Sequence, residues 1–150
     1  MFFQQPAEDR LRSWRDFRLA IEALPLENAL ARTAKCWAHA PFIPYYLDDE
    51  DPTLWPNPWE LINENTYCDV AKCLGIMYTI SLTAHKKELD IEHRIYIDHK
   101  KNHLYNLACF AQGKYILNLI DGTVVNIKQL SDSLELKCIY TATELQLTNY

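Results

Sequence analysis

The chain has 150 residues, of which 49% are apolar and 23% are charged, so we expect one domain, residues 1–150, with a sizeable core. Its net charge of −5 argues against a protein that binds duplex nucleic acid, because such a protein must neutralise phosphates. No apolar run is long enough for a membrane span, and the N-terminus lacks a signal-peptide pattern. We therefore expect a soluble protein of a cytoplasm, its own or a host's.

The five cysteines and five histidines form no metal signature. The number of cysteines is odd and none belongs to a C-x-x-C motif, which argues against a disulfide framework and a zinc ribbon. Cys36 and His39 could supply two zinc ligands, but no second pair stands at a matching spacing. We therefore expect neither a metal nor another cofactor.

Residues 1–58 are predicted to be helical at first and extended afterwards. Apolar residues recur at helical spacing from Leu11 to Leu24, and Pro25 separates this helix from a second one that runs to about Trp37. The segment that follows is rich in prolines and aromatic residues and contains an acidic run at 48–51. Because so many aromatic side chains are rarely left in water, we expect it to wrap against the body of the domain.

Residues 59–150 are predicted to form a buried helix followed by a sheet. From Cys68 to Leu82 the sequence is apolar on nearly all sides, which is typical of a helix at the centre of a fold. Strands are expected at 93–98, 103–111, 114–119, 124–126 and 134–141, with a tight turn at 111–114. Helices first and antiparallel strands afterwards is the pattern of an α+β domain.

Cys68 stands at the predicted start of the central helix. Thr66 is a good N-cap and Asp69 could complete a capping box, which would make Cys68 the second helical residue. There the helix dipole would stabilise a thiolate, and the backbone N–H of Cys68 could stabilise an oxyanion. The alternative is a small, buried and inert cysteine, which is what we expect of Cys73 in mid-helix.

A cysteine nucleophile needs a base, and His103 opens a strand downstream of Cys68. The segments "YCDVAKCLGIMYTI" and "HLYNLACFAQGKYILN" resemble the transglutaminase-like (papain-like) cysteine enzymes over roughly residues 59–122. In that superfamily a cysteine begins the central helix, and a His-x-aromatic strand and a glycine-containing turn lead to an Asp or Asn. The resemblance implies Cys68 as the nucleophile, His103 as the base and Asn118 as the residue that orients His103.

The sequence departs from that pattern in its third catalytic position, where Asn118 stands although Asp is usual. A two-residue turn would place Asn118 opposite Leu107, on the face of His103 but about 13 Å along the strand from it. A three-residue turn would instead place Asp121 opposite His103. Asn118 is therefore the first candidate and Asp121 the second. The glycine that is common just before the cysteine is also missing.

Two functions of different classes remain open. The resemblance implies an enzyme, a cysteine hydrolase or acyltransferase that attacks an amide bond of a protein or peptide. The alternative is a catalytically silent protein with the same fold that serves in a structural assembly, for instance a virus or phage particle. The aromatic, proline-rich segment favours the alternative, because it would also suit a protein interface.

Overall fold

The computed structural model describes residues 1–150, with the side chain of Glu88 left aside. The α-helices all precede the strands, and short 3-10 helices lie before, between and after them. The α-helices are α1 (Ala7–Glu22), α2 (Leu26–Trp37), α3 (Pro58–Glu64) and α4 (Asp69–Ser81). The strands are β1 (Ile91–Asp98), β2 (His103–Phe110), β3 (Tyr115–Leu117) and β4 (Leu134–Thr141). They form one antiparallel sheet in the order β3-β2-β1-β4, so the predicted α+β class is confirmed.

Helix α3 is an element that the sequence reading did not predict. Asn57 caps it, because the Asn57 side chain accepts from the N–H of Glu60 while the Glu60 carboxylate accepts from the N–H of Asn57. Pro58 occupies the first turn, where its missing N–H costs nothing. The stretch Asn-Pro-x-Glu is therefore a complete helix start, although it lies within a segment whose prolines favour an extended chain.

Helix α4 is the centre of the fold, and residues 70–81 are buried without exception. The hydroxyl of Thr79 donates to the carbonyl of Gly75 at 2.6 Å and accepts from the indole N–H groups of Trp14 at 3.1 Å and Trp37 at 3.0 Å. One hydroxyl thus satisfies two buried indoles from α1 and α2. The ring of Trp37 lies directly against Gly75, where an added Cβ would be 2.1 Å from it. None of the helices described is both long and apolar enough to cross a lipid bilayer.

The sheet keeps most of the predicted strands and shows the register of a two-residue turn. Phe110 pairs with Tyr115 and Ala108 with Leu117. The predicted tight turn at 111–114 is present, since the N–H of Lys114 donates to the carbonyl of Ala111 at 3.2 Å, and residues 111–113 all adopt positive φ angles. The prediction of a strand at 124–126 is wrong, because this segment forms only a single bridge, between Val125 and Ile116.

Gly75→Ala is expected to lower the free energy of unfolding by about 3 kcal/mol, although alanine is normally the better helix former. The added methyl group overlaps the ring of Trp37 in a fully packed region. Urea unfolding followed by circular dichroism measures the loss. In a Trp37→Phe background the smaller ring leaves room, so the same substitution should cost clearly less; an equal loss in both backgrounds would contradict this explanation.

Candidate active site

Cys68 is the N-cap of α4 and not, as the sequence predicts, its second residue. Its backbone is extended, with φ −96° and ψ −174°, and the helix begins at Asp69. The predicted capping box is absent, because the hydroxyl of Thr66 donates to the carbonyl of Glu64 at 3.3 Å. The cause is a bridge in which the N–H of Ile43 donates to the carbonyl of Tyr67 at 2.9 Å. That pairing keeps the residues before Cys68 extended and delays the helix start.

The sulfur of Cys68 lies where backbone donors are concentrated. The N–H of Leu47 points at Sγ, at 3.4 Å. The N–H of Cys68 itself has no hydrogen-bond partner among the residues described. The positive end of the dipole of α4 begins at the same place. Together these groups form an environment that stabilises negative charge on the sulfur or on an oxygen beside it.

A cleft of about 450 Å³ opens beside Cys68. One side is the strap, which we define as residues 42–55, and the other is the beginning of β2. Cys68 is only 3% exposed, because the strap lies over it. The predicted wrapping of the strap is therefore only partly correct. Trp55 packs inward onto the sheet, but Tyr45 is 92% and Phe42 53% exposed at the rim of the cleft.

His103 is the first residue of β2 and lines the same cleft as Cys68. Its ring is exposed and stands edge-on to Tyr105, with 4.6 Å between the ring centroids. Within the described part of the chain, no hydrogen bond fixes the imidazole. The structure thus brings the predicted nucleophile and the predicted base to one cleft and leaves the ring of His103 free to turn.

Asn118 follows β3 and adopts a left-handed backbone conformation with φ 75°. Its amide nitrogen donates to the carbonyl of Asn106 at 2.9 Å and to that of Asp69 at 3.3 Å. Both partners are acceptors, which fixes the orientation of the amide and leaves its oxygen Oδ1 as an unused acceptor. Asn118 and His103 line a second pocket of about 200 Å³ that adjoins the cleft.

Asp121, the second candidate, does not lie opposite His103. The pairing of Ala108 with Leu117 excludes the three-residue turn that this alternative requires. The carboxylate of Asp121 instead forms an ion pair with Lys72, at 2.9 Å. Asp121 does line the smaller pocket together with His103, but its charge is already engaged.

Asp69, which follows Cys68, and Cys73, which the sequence predicts to be an inert core cysteine, lie in different environments. Burial raises the pKa of Asp69, while the charges of Lys72 and His103 act in the opposite direction. Complete burial raises the pKa of Cys73 well above its usual range. Cys73 contacts the thioether of Met77 within the helix layer, which agrees with an inert core cysteine.

A chain of buried polar groups behind the cleft was not predicted. The ring of His93 is fully buried and donates through Nε2 to Oδ1 of Asn106 at 2.8 Å. The amide nitrogen of Asn106 donates to the carboxylate of Asp49 in the strap at 3.0 Å. Trp55 stacks on the ring of His93 with 5.0 Å between centroids. The one signal in the sequence is alternation, which places His93 on the buried face of its strand.

No protein-family model matches this sequence, and no curated protein sequence matches it. Solved structures of Legionella pneumophila LapG, a transglutaminase-like cysteine protease, are similar in fold. A calcium-bound form gives a TM-score of 0.71 at 12% identity, over 93% of this chain and 78% of that chain. A second structure gives 0.71 and an EGTA-treated form 0.69, each at 14% identity over 90% of this chain and 75% of the other. The likeness shows the fold alone, and the expected transglutaminase-like core is confirmed.

Calcium is named for one of the LapG structures. In the part of this chain that the structure describes, no three or more His, Cys, Asp or Glu side chains are grouped so that they could hold a metal ion.

His93 is expected to make stability depend on pH. Burial lowers the pKa of His93 from its ordinary 6.5 to about 4, against the opposing effects of Asn106 and Asp49. The unfolded ring takes up a proton below pH 6.5 and the folded ring does not, so stability is lost as the pH falls towards about 4. Wild-type protein should lose about 3 kcal/mol more than His93→Gln between about pH 7 and about pH 4. The free energy of unfolding is measured by urea unfolding at both pH values. If wild-type protein and His93→Gln lose the same amount between them, the prediction is refuted.

Proposed function

We propose that the protein is a cysteine hydrolase or acyltransferase that acts on an amide bond of a polypeptide. Cys68 is the nucleophile, His103 is the general base and Asn118 orients the imidazole. The observation that carries the proposal is that Cys68, at the start of a buried helix, and His103, at the start of a strand, line one cleft in a transglutaminase-like fold. Neither a metal nor an organic cofactor takes part in the proposed steps.

The reaction has two steps. His103 takes the thiol proton of Cys68 while the sulfur attacks the carbonyl carbon of the amide, and the tetrahedral oxyanion forms. The C–N bond then breaks, and the departing amine takes the proton from His103. In the second step His103 removes a proton from water, or from an acceptor amine, which attacks the thioester. The acid or the new amide leaves, and the proton returns to the thiolate of Cys68.

Two backbone donors support the oxyanion in this scheme. One is the N–H of Cys68, as the position of Cys68 at the helix start predicts, and the second is the N–H of Leu47, which the sequence did not indicate. A carbonyl carbon bonded to Sγ brings its oxygen close to both N–H groups, because Leu47 already lies 3.4 Å from the sulfur. Preorganised backbone donors of this kind stabilise charge that develops only during the reaction.

The hydrogen bonds of Asn118 account for an asparagine at the third position. Its amide nitrogen is taken by two carbonyl oxygens, those of Asn106 and Asp69, and its oxygen is left unused. The observed register leaves Asn118 four residues along the sheet from His103, about 13 Å by strand rise, so in this proposal the imidazole turns along the strand towards Asn118 within the pocket that both residues line. An aspartate would turn a charged acceptor towards two other acceptors, which is unfavourable. We therefore assign the orienting role to Asn118 and a structural role to Asp121.

The second candidate function is a catalytically silent protein of the same fold that acts in an assembly, for instance a virus or phage particle. The exposed aromatic rings of Phe42 and Tyr45 favour it, because such groups are typical of interaction surfaces. The close cover of Cys68 by the strap also favours it. In both cases the partner is a protein or peptide, and a cytoplasm is the proposed location. The reactivity of Cys68 distinguishes the two candidates.

Cys68 should react with iodoacetamide at about pH 6 at least about tenfold faster than Cys138, because only a thiolate is alkylated. His103→Ala should remove most of that advantage, since the thiolate loses its imidazolium partner. Peptide mass spectrometry of the native protein after timed exposure gives the rate for each cysteine.

Cys73 and Cys138 are the internal controls for that measurement. Cys73 is fully buried and should remain unmodified until the protein unfolds, whereas Cys138 is a half-buried cysteine outside the cleft. If Cys68 reacts no faster than Cys138 at any pH, the enzyme proposal fails and the silent assembly protein is favoured.

A peptide-cleavage assay distinguishes the proposed roles of Asn118 and Asp121. With a library of proteome-derived peptides as substrate, Asn118→Asp should cut about a hundredfold more slowly, because the imidazole is misplaced. Asp121→Asn keeps an acceptor for Lys72 and should retain nearly full activity. Cys68→Ala provides the blank for new termini found by mass spectrometry. A greater loss in Asp121→Asn than in Asn118→Asp would reverse the assignment.

A further inference from the structure

Asp49 lies in the strap and lines the cleft beside Cys68. Its Oδ2 accepts from the amide of Asn106 at 3.0 Å, and its main-chain carbonyl accepts from the hydroxyl of Tyr140 at 3.3 Å. Asn106 is itself only 3% exposed and is held by the buried ring of His93. A chain of buried groups therefore fixes one carboxylate in a segment, residues 43–51, that forms neither helix nor strand.

Among the described residues no lysine or arginine pairs with Asp49, and the basic side chain in the cleft lining is His103, which the proposed reaction pairs with Cys68. The residues that line the cleft include no lysine and no arginine. Other acids nearby do have a cation, since Glu50 pairs with Lys137 at 3.1 Å and Asp121 with Lys72 at 2.9 Å. The oxygen Oδ1 of Asp49 accepts no hydrogen bond from the described residues. The cleft therefore presents one carboxylate oxygen that is not engaged by the protein.

Fastening the strap does not require this charge. The bond from Asn106 needs only an acceptor, which a neutral asparagine at position 49 would also supply. A half-buried carboxylate without a lysine or arginine partner costs desolvation free energy, and here it also faces the charge of Asp69, whose pKa is raised by burial and by Asp49. Such uncompensated local cost is found chiefly at functional sites, and it indicates a ligand group of opposite sign.

The rim of the cleft fits a cationic side chain. The ring of Tyr45 lines it and is 92% exposed, and aromatic faces attract ammonium and guanidinium groups. The neighbouring ring of Phe42 shows the same attraction, since the ammonium of Lys72 lies 5.9 Å from its centroid. Leu47 and Leu104 supply apolar wall, which suits the methylene stem of a lysine or arginine. The apolar wall therefore suits the methylene stem of a basic side chain, and the carboxylate and the aromatic rim suit its charged end.

We propose that Asp49 forms the subsite for a lysine or arginine side chain of the polypeptide on which Cys68 acts. This inference rests on the proposed function and narrows its substrate to basic polypeptide segments. The cation binds the free Oδ1 of Asp49, while Asn106 holds Oδ2. Because the ion pair forms in a cleft that is partly screened from water, it selects substrates by charge.

A pair of thiol reagents of opposite charge tests the subsite at Cys68 without any need for turnover. Aminoethyl methanethiosulfonate carries an ammonium group like that of lysine, and sulfonatoethyl methanethiosulfonate carries an anion with the same reacting group. The ratio of their rates at Cys68 should exceed the ratio at Cys138. Asp49→Asn should lower the ratio at Cys68 about tenfold, because it removes the charge and keeps the acceptor for Asn106.

Asp48→Asn is the matched control. Asp48 is exposed and adjacent in sequence, it does not line the cleft, and its substitution changes the net charge equally. It should leave the ratio nearly unchanged. Three results would overturn the inference: a ratio insensitive to Asp49→Asn, an equal fall in Asp48→Asn, or a fall of the wild-type ratio to the Asp49→Asn value on adding millimolar calcium chloride. The last would make a metal ion the occupant.

The same data keep this inference separate from the proposed function. The ratio cancels the intrinsic reactivity of the thiol, since its thiolate attacks both reagents in the same way and displaces methanesulfinate from each. The absolute rates report that reactivity. A Cys68 that is slow with both reagents but retains the charge preference would contradict the nucleophile and support the subsite, whereas a fast Cys68 without the preference would do the opposite.

Discussion

The hydrogen bonds of Asn106 are the constraint on which the geometry of the site depends. This residue is buried in β2, and its side chain joins the ring of His93 in β1 to the carboxylate of Asp49 in the strap. Its main-chain carbonyl meanwhile accepts from the amide of Asn118. Asn106 therefore positions the sheet, the strap and Asn118, the third residue of the proposed triad, relative to one another. A buried amide can do this because it has both donors and an acceptor in a rigid plane.

Helix α4 is the second element that fixes the geometry of the site. Its N-terminus presents Cys68, and its interior is packed so closely that Trp37 touches the backbone at Gly75. A helix buried on all sides cannot shift without disturbing that packing. Cys68, the proposed nucleophile, is thus placed by the core of the protein, while His103 lies on the exposed end of a strand. In a cysteine–histidine pair built this way, the base rather than the thiol has freedom to move.

The elements with a clear periodicity could be predicted from the sequence. The two N-terminal helices, the buried helix and the strands around His93 and His103 follow from the spacing of apolar residues. The start of α4 could not be predicted, since a non-local bridge between Phe42 and Tyr67 overrides the local capping signal of Thr66. Non-local pairing of this kind leaves no trace in the spacing of residues near the helix.

In the candidate site, too, some residues could be predicted from the sequence and others could not. Cys68, His103 and Asn118 are short-range patterns that a resemblance can find. Leu47 and Asp49 of the strap and Asn106 of β2 come from two separate stretches, which meet each other and Cys68 only through the fold. Their roles depend on backbone direction and amide orientation, which single-sequence reading does not contain. The similarity to LapG at 12% identity agrees with this, since the fold is retained where few residues are identical.

The prolines of the strap have a consequence for its conformational entropy. Pro44 and Pro52 lie in the strap and Pro41 and Pro56 flank it, and each has a fixed φ in the unfolded chain as well as in the folded one. Ordering an ordinary residue costs about 1–2 kcal/mol in lost backbone freedom, and the prolines reduce that loss before any contact forms. A segment with few backbone hydrogen bonds of its own can therefore stay in place over Cys68. The restricted backbone of its prolines thus adds to the hydrogen bonds of Asp49 in keeping the strap ordered.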